Sequence, residues 1–160
     1  MNTDRARRVA LGDIVPNRRR GGDLRVLLSP KTAGSTSGFM GALRLAPGEC
    51  VSEHRHPYSE EFLYVVRGSV VLHVDGETIE LRPDTSVMTP KNLRHRLENP
   101  GDEPAFLVFH LGPLAPRPEL GHVDTEPLPA GAGTEPPPVG PAAPARPGSP
   151  ARPGAPRRAG

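Results

Sequence analysis

Between Leu24 and Leu111 the chain breaks into short runs of β-branched, aliphatic and aromatic residues, each closed by a turn signal. The clearest runs are 24–29, 38–45, 62–66, 70–74, 78–81, 86–89 and 105–111. No stretch of this region carries a 3.6-residue period with caps. Val70, Leu72 and Val74 alternate instead with Val71 and His73, a period of two. Asp75-Gly76 between two such runs fits a type I′ hairpin turn. Arg67-Gly68, Pro83-Asp84 and the stretch from Asn99 to Asp102 supply further turns. Many short strands at this spacing predict an all-β fold, a sandwich or a jelly-roll barrel.

Proline marks where that pattern stops. From Pro127 to Gly160, 11 of 34 residues are proline, with one Leu, one Val and no aromatic residue. Such a segment buries too little apolar surface to offset the entropy of ordering it, so disorder is expected. Between Pro141 and Pro156 a proline recurs at every third position, which lines one face of a polyproline II helix. That pattern fits a ligand for a PxxP-binding groove. A solubilising tail rich in Ala, Gly, Pro and Arg is the preferred reading. The expected organisation is a flexible basic arm over 1–19, a barrel over 20–124 and a disordered tail over 125–160.

Charge follows the same division. Residues 1–25 hold seven Arg and three Asp, residues 26–126 nine basic and fourteen acidic groups, and residues 127–160 four Arg and one Glu. An acidic middle between basic ends argues against a nucleic-acid-binding domain. One cysteine excludes an intrachain disulfide framework and a thiolate-based zinc knuckle. No apolar run is long enough to span a bilayer. The opening MNTDRARR is not a secretory signal, so a reducing cytoplasmic setting is expected.

The chemistry-bearing segment runs from Gly48 to Gly68, GECVSEHRHPYSEEFLYVVRG. His54 and His56 stand two apart, and on a strand such residues face one side. Glu61 follows the Pro57-Tyr58-Ser59 turn, where a returning strand brings its carboxylate over the same face. His95 lies later, on another expected strand. Three imidazoles and a carboxylate converging inside a barrel form a site for a first-row divalent metal.

These residues resemble the two motifs of the cupins. The first is Gly48-x5-His54-x-His56-x4-Glu61-x6-Gly68, and the second is Asp84-x5-Pro90-x-Asn92-x2-His95-x3-Asn99. Asp84 and Asn92 stand where the cupin pattern usually has Gly. Both types tolerate positive φ better than other non-Gly residues. NRRRGGDLRVLLSP (17–30), TSGFMGALRLAPGE (36–49), HPYSEEFLYVVRG (56–68) and FHLGPLAPRPELGHVDTE (109–126) narrow the match. Over residues 8–126 the chain is similar to the single-domain cupin cyclases of bacterial aromatic polyketide pathways, of the tetracenomycin type.

That resemblance implies a metal-containing jelly roll that helps fold and cyclise a reactive poly-β-ketone. It implies His54, His56 and His95 as metal ligands, with Glu61 as a further ligand, as a base, or as both. The implied metal is zinc, while iron, nickel and manganese suit the same donors. The implied partners are the polyketide intermediate, an acyl carrier protein and other synthase components. The implied reaction is an intramolecular aldol condensation with loss of water. Two alternatives are a cupin oxygenase acting on a phenolic intermediate, and a non-catalytic chaperone or scaffold.

His110 has apolar neighbours on both strand faces, so parity leaves it open; it is carried as a catalytic candidate beside Glu61. His73 lies between Leu72 and Val74 and is expected to face outward, as is Glu60 beside Glu61. His122 is expected as a loop contact beyond the barrel. Cys50 shares the parity of His54, towards the cavity or as a small buried residue. Leu63, Val65, Val70, Leu72, Leu97 and Met88 are the expected cavity walls. Arg18-Arg19-Arg20 reads as a docking arm for an acidic carrier protein, or as a solvated arm. A homodimer is expected, with residues 20–45 as its interface.

Overall fold

A computed structural model describes residues 5–133 and 137–140 of the chain. Its strands are β1 (Asp23–Leu28), β2 (Phe39–Leu45), β3 (Cys50–Arg55), β4 (Glu60–Arg67), β5 (Val70–Val74), β6 (Glu77–Leu81), β7 (Ser86–Thr89), β8 (His95–Glu98), β9 (Ala105–Gly112) and β10 (Val123–Asp124). They form two antiparallel five-stranded sheets, ordered β1-β2-β9-β4-β7 and β10-β3-β8-β5-β6. The expected all-β jelly roll is the observed fold. One short helix, α1 (Pro30–Ala33), is capped by Ser29, whose side chain accepts from Thr32 N. No helix among the described residues is long and apolar enough to cross a membrane.

The turns work as their residues require. Val74 pairs with Glu77, and the intervening Asp75 and Gly76 have φ of 48° and 80°, the type I′ geometry. Asp84 and Asn92 stand at φ of 63° and 66°. They adopt the left-handed conformation that glycine supplies in the usual motif. Gly68 has no such substitute, because a Cβ there would lie 2.6 Å from Pro104 O. Asn99 is fully buried; its amide donates to Leu45 O and Glu103 O, and its Oδ1 accepts from Gly101 N. The second motif's asparagine therefore ties the end of β2 to the turn at 101–103.

The core lies between the sheets. Leu45, Val65 and Leu107 are wholly buried, with Leu43, Leu63, Leu72, Leu97 and Phe109 around them. Burying such side chains supplies most of the drive to fold, about 1.5–3 kcal/mol each.

Both proposed boundaries move. Residues 10–19 are not a free arm: Arg25 Nη1 donates to Leu11 O and Ile14 O, and Asn17 pairs with Leu24. At the other end Thr125 N donates to Glu53 O, and the Glu126 carboxylate accepts from Glu53 N and Arg96. The folded domain thus continues through Glu126. The proline repeat over 141–156 lies outside the described residues.

Candidate metal centre

Strand β3 carries a bulge. Val51 pairs with Leu97 and His54 with His95, so three steps on β3 oppose two on β8. The extra residue turns both Val51 and His54 inward. It breaks the parity linking Cys50 to His54, and Cys50, half-buried opposite Glu98, lines no cavity beside the metal ligands. His56 follows the end of β3, and its ring lies 4.8 Å from that of His54, centre to centre. His95 opens β8, with its ring 4.5 Å from His54. Glu61 comes from the facing sheet on β4, paired with Thr89 and Leu111. Candidate ligand atoms of His54, His56, Glu61 and His95 all lie within 4.8 Å of one another.

The backbone orients each ring. His54 Nδ1 lies 2.8 Å from Ser52 O, His56 Nδ1 3.0 Å from Gly121 O, and His95 Nδ1 2.9 Å from Leu93 O. A carbonyl only accepts, so each Nδ1 is the donor and each Nε2 is left as the ligand atom. His56 Nε2 and His95 Nε2 are buried without a well-directed hydrogen-bond partner. Glu61 Oε2 lies 2.7 Å from His95 Nε2 and 3.5 Å from His56 Nε2. Buried polar atoms left without partners need an explanation. A donor set of three imidazoles and a carboxylate, pre-oriented towards one point, fits a divalent metal ion.

Electrostatics agrees with that fit at His54 and Glu61, and runs against it at His95. Burial, reinforced by His95 and His56, pushes His54 well below the ordinary imidazole range, so it is neutral as a ligand must be. Burial alone would raise Glu61, but the adjacent His56 and His95 rings outweigh it and hold the carboxylate well below its ordinary range. Burial alone would lower His95, and the Glu61 carboxylate outweighs it upward.

Three cavities adjoin the cluster. The innermost, about 50 Å³, is walled by Leu63, Leu72, Leu97 and Phe109 and reaches His54, Glu61 and His95. A middle one, about 60 Å³, touches His54, His56 and Glu61 from the other side. Phe39, His122 and Val139 connect it to an outer cavity of about 260 Å³, which is walled by Pro30, the 114–121 loop and the tail residues Val139 and Gly140.

Two groups at this threshold escaped the sequence reading. His122 is no mere loop contact. Val123 pairs with Arg55 and Asp124 with His54, so one step back places His122 level with His56. Burial, helped by Arg20, lowers its pKa to about 4. Arg20 is buried, its Nε donating to Asp124 Oδ1 at 2.6 Å, while Arg19 pairs with Asp124 Oδ2 at 2.9 Å. Two of the three consecutive arginines thus turn onto the barrel rather than forming an extended arm. Gly21 lets the chain pass β3 here, where a Cβ would meet Cys50 O at 1.9 Å.

Two expectations fail by orientation. His110 is exposed on the outer face of β9, its ring 6.0 Å from Phe62, and takes no part in the cluster. The inward face of β9 is Leu107, Phe109 and Leu111, which the opposite sheet covers. Met88 is likewise outward and 45% exposed, and Val87 and Thr89 line the cavity in its place. His73 faces outward as expected, beside Glu98.

Comparison with known proteins places this geometry among relatives. A cupin domain family model matches residues 41–111. Polyketide synthase CurC of Streptomyces cyaneus is 60% identical over 79% of this chain and 82% of its own length. Tetracenomycin polyketide synthase protein TcmJ of Streptomyces glaucescens is 50% identical over 82% of this chain and 88% of its own. Among solved structures, an uncharacterized conserved Klebsiella pneumoniae protein with a double-stranded β-helix domain superposes with a TM-score of 0.61. It is 18% identical and covers 77% of this chain and all of its own.

Proposed function

The chain belongs to the cupin domain family, in its single-domain tetracenomycin-type branch, and from that premise we propose that it directs ring closure of a poly-β-ketone in aromatic polyketide biosynthesis. The observation that carries this reading is the inward cluster of His54, His56, Glu61 and His95 between apolar cavities. Those four residues would hold a divalent ion, zinc by family, which when bound supplies Lewis acidity towards a ketone oxygen.

The protein's own residues do the rest. Leu63, Leu72, Leu97 and Phe109 exclude water beside the cluster. An apolar enclosure selects one folded arrangement among the many ring closures open to a polyketone, and the outer cavity of about 260 Å³ is the one with room for it. Glu61, held ionised, is the carboxylate available to take a methylene proton as the carbon–carbon bond forms. That proton is returned to the new alkoxide as a hydroxyl; removal of the second methylene proton and its transfer to the departing hydroxyl then release water and leave a carbon–carbon double bond.

The substrate in this reading is the polyketide intermediate, delivered by an acyl carrier protein among the other synthase components in the cytoplasm. The active unit is a homodimer. Exposed Phe62, Tyr64, Val66 and Met88 on the outer sheet face give a second copy an apolar surface to cover.

The test is a minimal polyketide synthase reconstituted with and without this protein. A change of product skeleton towards a defined ring closure supports the reading. Stoichiometric oxygen consumption, or an unchanged skeleton with metal-loaded protein, overturns it.

A further inference from the structure

Arg20 has more hydrogen-bonding capacity than its partners use. Its backbone oxygen accepts from Ser52 N, inside the β3 bulge, which fixes the residue beside His54. Asp124 takes Nε of Arg20 with one oxygen and Arg19 with the other. Arg20 Nη2 is left buried with no hydrogen-bond partner among the described residues. The residue is 8% exposed and lines the middle cavity with His54, His56 and Glu61. A buried guanidinium N–H without an acceptor is costly, and a site that retains one is built for an incoming oxygen.

His122 stands on the same threshold. It lines both the middle and the outer cavity, and its ring makes no hydrogen bond among the described residues. The cavities beside the metal ligands, about 50 and 60 Å³, are too small for a fused ring system. The outer cavity, about 260 Å³, approaches the usual size of a small-molecule site. Its walls, among them Phe39, Leu114, Ala115 and Pro118, are largely apolar. An apolar chamber that opens towards the metal ligands past one cationic donor and one imidazole has the character of a substrate subsite.

We propose that the outer cavity seats an apolar carbon chain or ring with oxygens on alternate carbons, and that Arg20 and His122 hold two of those oxygens. Arg20 Nη2 donates to a carbonyl or enolate oxygen, and the His122 ring bonds a neighbouring one. This assignment rests on the polyketide reading and adds to it the group that meets substrate oxygen before the metal ligands do.

The probe is 1,3-dihydroxynaphthalene, a bicyclic phenol with the required oxygen spacing, titrated into the full-length, zinc-loaded protein by fluorescence. Wild type should bind it saturably. Arg20→Gln and His122→Phe should each weaken binding about tenfold or more, and Ala115→Trp, which fills the outer chamber, should abolish it, all at unchanged zinc content. If Arg20→Gln loses stability or zinc, His122→Phe, which leaves the Asp124 ion pairs intact, carries the test. Wild-type affinity in His122→Phe and Ala115→Trp overturns the assignment. The same variants in a reconstituted synthase separate the two readings. Lost binding with an unchanged product skeleton keeps the subsite and removes the cyclase reading. Unchanged binding with lost ring closure removes the subsite and keeps the cyclase.

Discussion

On β4, Glu61, Leu63 and Val65 point into the barrel while Phe62, Tyr64 and Val66 point out of it. Leu63 and Val65 are 8% and 0% exposed, whereas the three outward side chains are 40–45% exposed. Composition does not distinguish the faces, since both are mostly apolar. The inner face is the one that carries an ionised carboxylate, and the outer face carries aromatic rings in water. A charged group on the covered face and large apolar groups on the open one each reverse the ordinary distribution. Such reversals concentrate where a sequence serves function rather than folding. The same contrast separates the histidines. His54 and His95 are covered and convergent, while His73 and His110 lie on outer faces.

The largest effect is expected at the candidate metal ligands. His54→Ala, His56→Ala or His95→Ala should each lower metal affinity by on the order of a hundredfold or more, because losing even a supporting outer-shell partner costs about 10–100-fold. Elemental analysis after dialysis against a weak chelator measures it, with circular dichroism to show an intact β domain. A variant that kept the wild-type metal content would remove that residue from the site.

The next effect is on folding. Leu107→Ala on the covered face of β9 should cost about 2–5 kcal/mol, the range for emptying a filled core site. Val66→Ala on the outer face of β4, 43% exposed, should cost under about 1 kcal/mol. Urea denaturation of both variants compares the faces directly, and equal losses would show that the outer face is covered in solution.

The pH dependence sharpens the contrast at the threshold. His122 stays neutral in the folded protein down to about pH 4, while an unfolded chain protonates it near the ordinary value of 6.5. Between those values the unfolded state binds more protons, so stability falls as pH falls from about 6.5 to about 4. In His122→Gln that fall should be shallower by up to one proton's worth of slope. Chemical denaturation at half-unit pH intervals measures it, and identical slopes would mean that His122 is solvated in the native state.

How far the sequence carries depends on where parity holds. On β5 the buried Val70, Leu72 and Val74 alternate with half-exposed Val71 and His73, and the outward placement of His73 is legible from alternation alone. The convergence of His54, His56, Glu61 and His95 is legible because the motif spacing brackets a hairpin-like return. Cys50 is not, because a bulge adds a residue to β3, and nothing in GECVSEH marks it. His110 is not, because β9 is apolar on both faces and only the position of the opposite sheet decides which is inside. Met88 fails for a similar reason on the four-residue strand β7. Arg20 meets Asp124, 104 residues away and two beyond His122, and local pattern does not report a pairing of that range.

The smallest expected effect is at His110, and it tests the orientation that parity left open. The ring is exposed on the outer face, opposite Met40 on β2 and Phe62 on β4. It makes one aromatic contact, at 6.0 Å, with a Phe62 that is itself 45% exposed. No metal-ligand residue lies within that neighbourhood, so His110→Ala should leave metal content unchanged. Its stability should change by no more than about 0.5 kcal/mol, the usual limit for a surface position. Ring-closure activity in a reconstituted synthase should be retained. A loss of metal or activity in His110→Ala would contradict the outward orientation of β9, whereas a loss of self-association alone would assign His110 to a subunit contact. Measuring metal content, urea midpoint and light scattering on one preparation separates these outcomes, and the outward orientation requires the first two to match wild type.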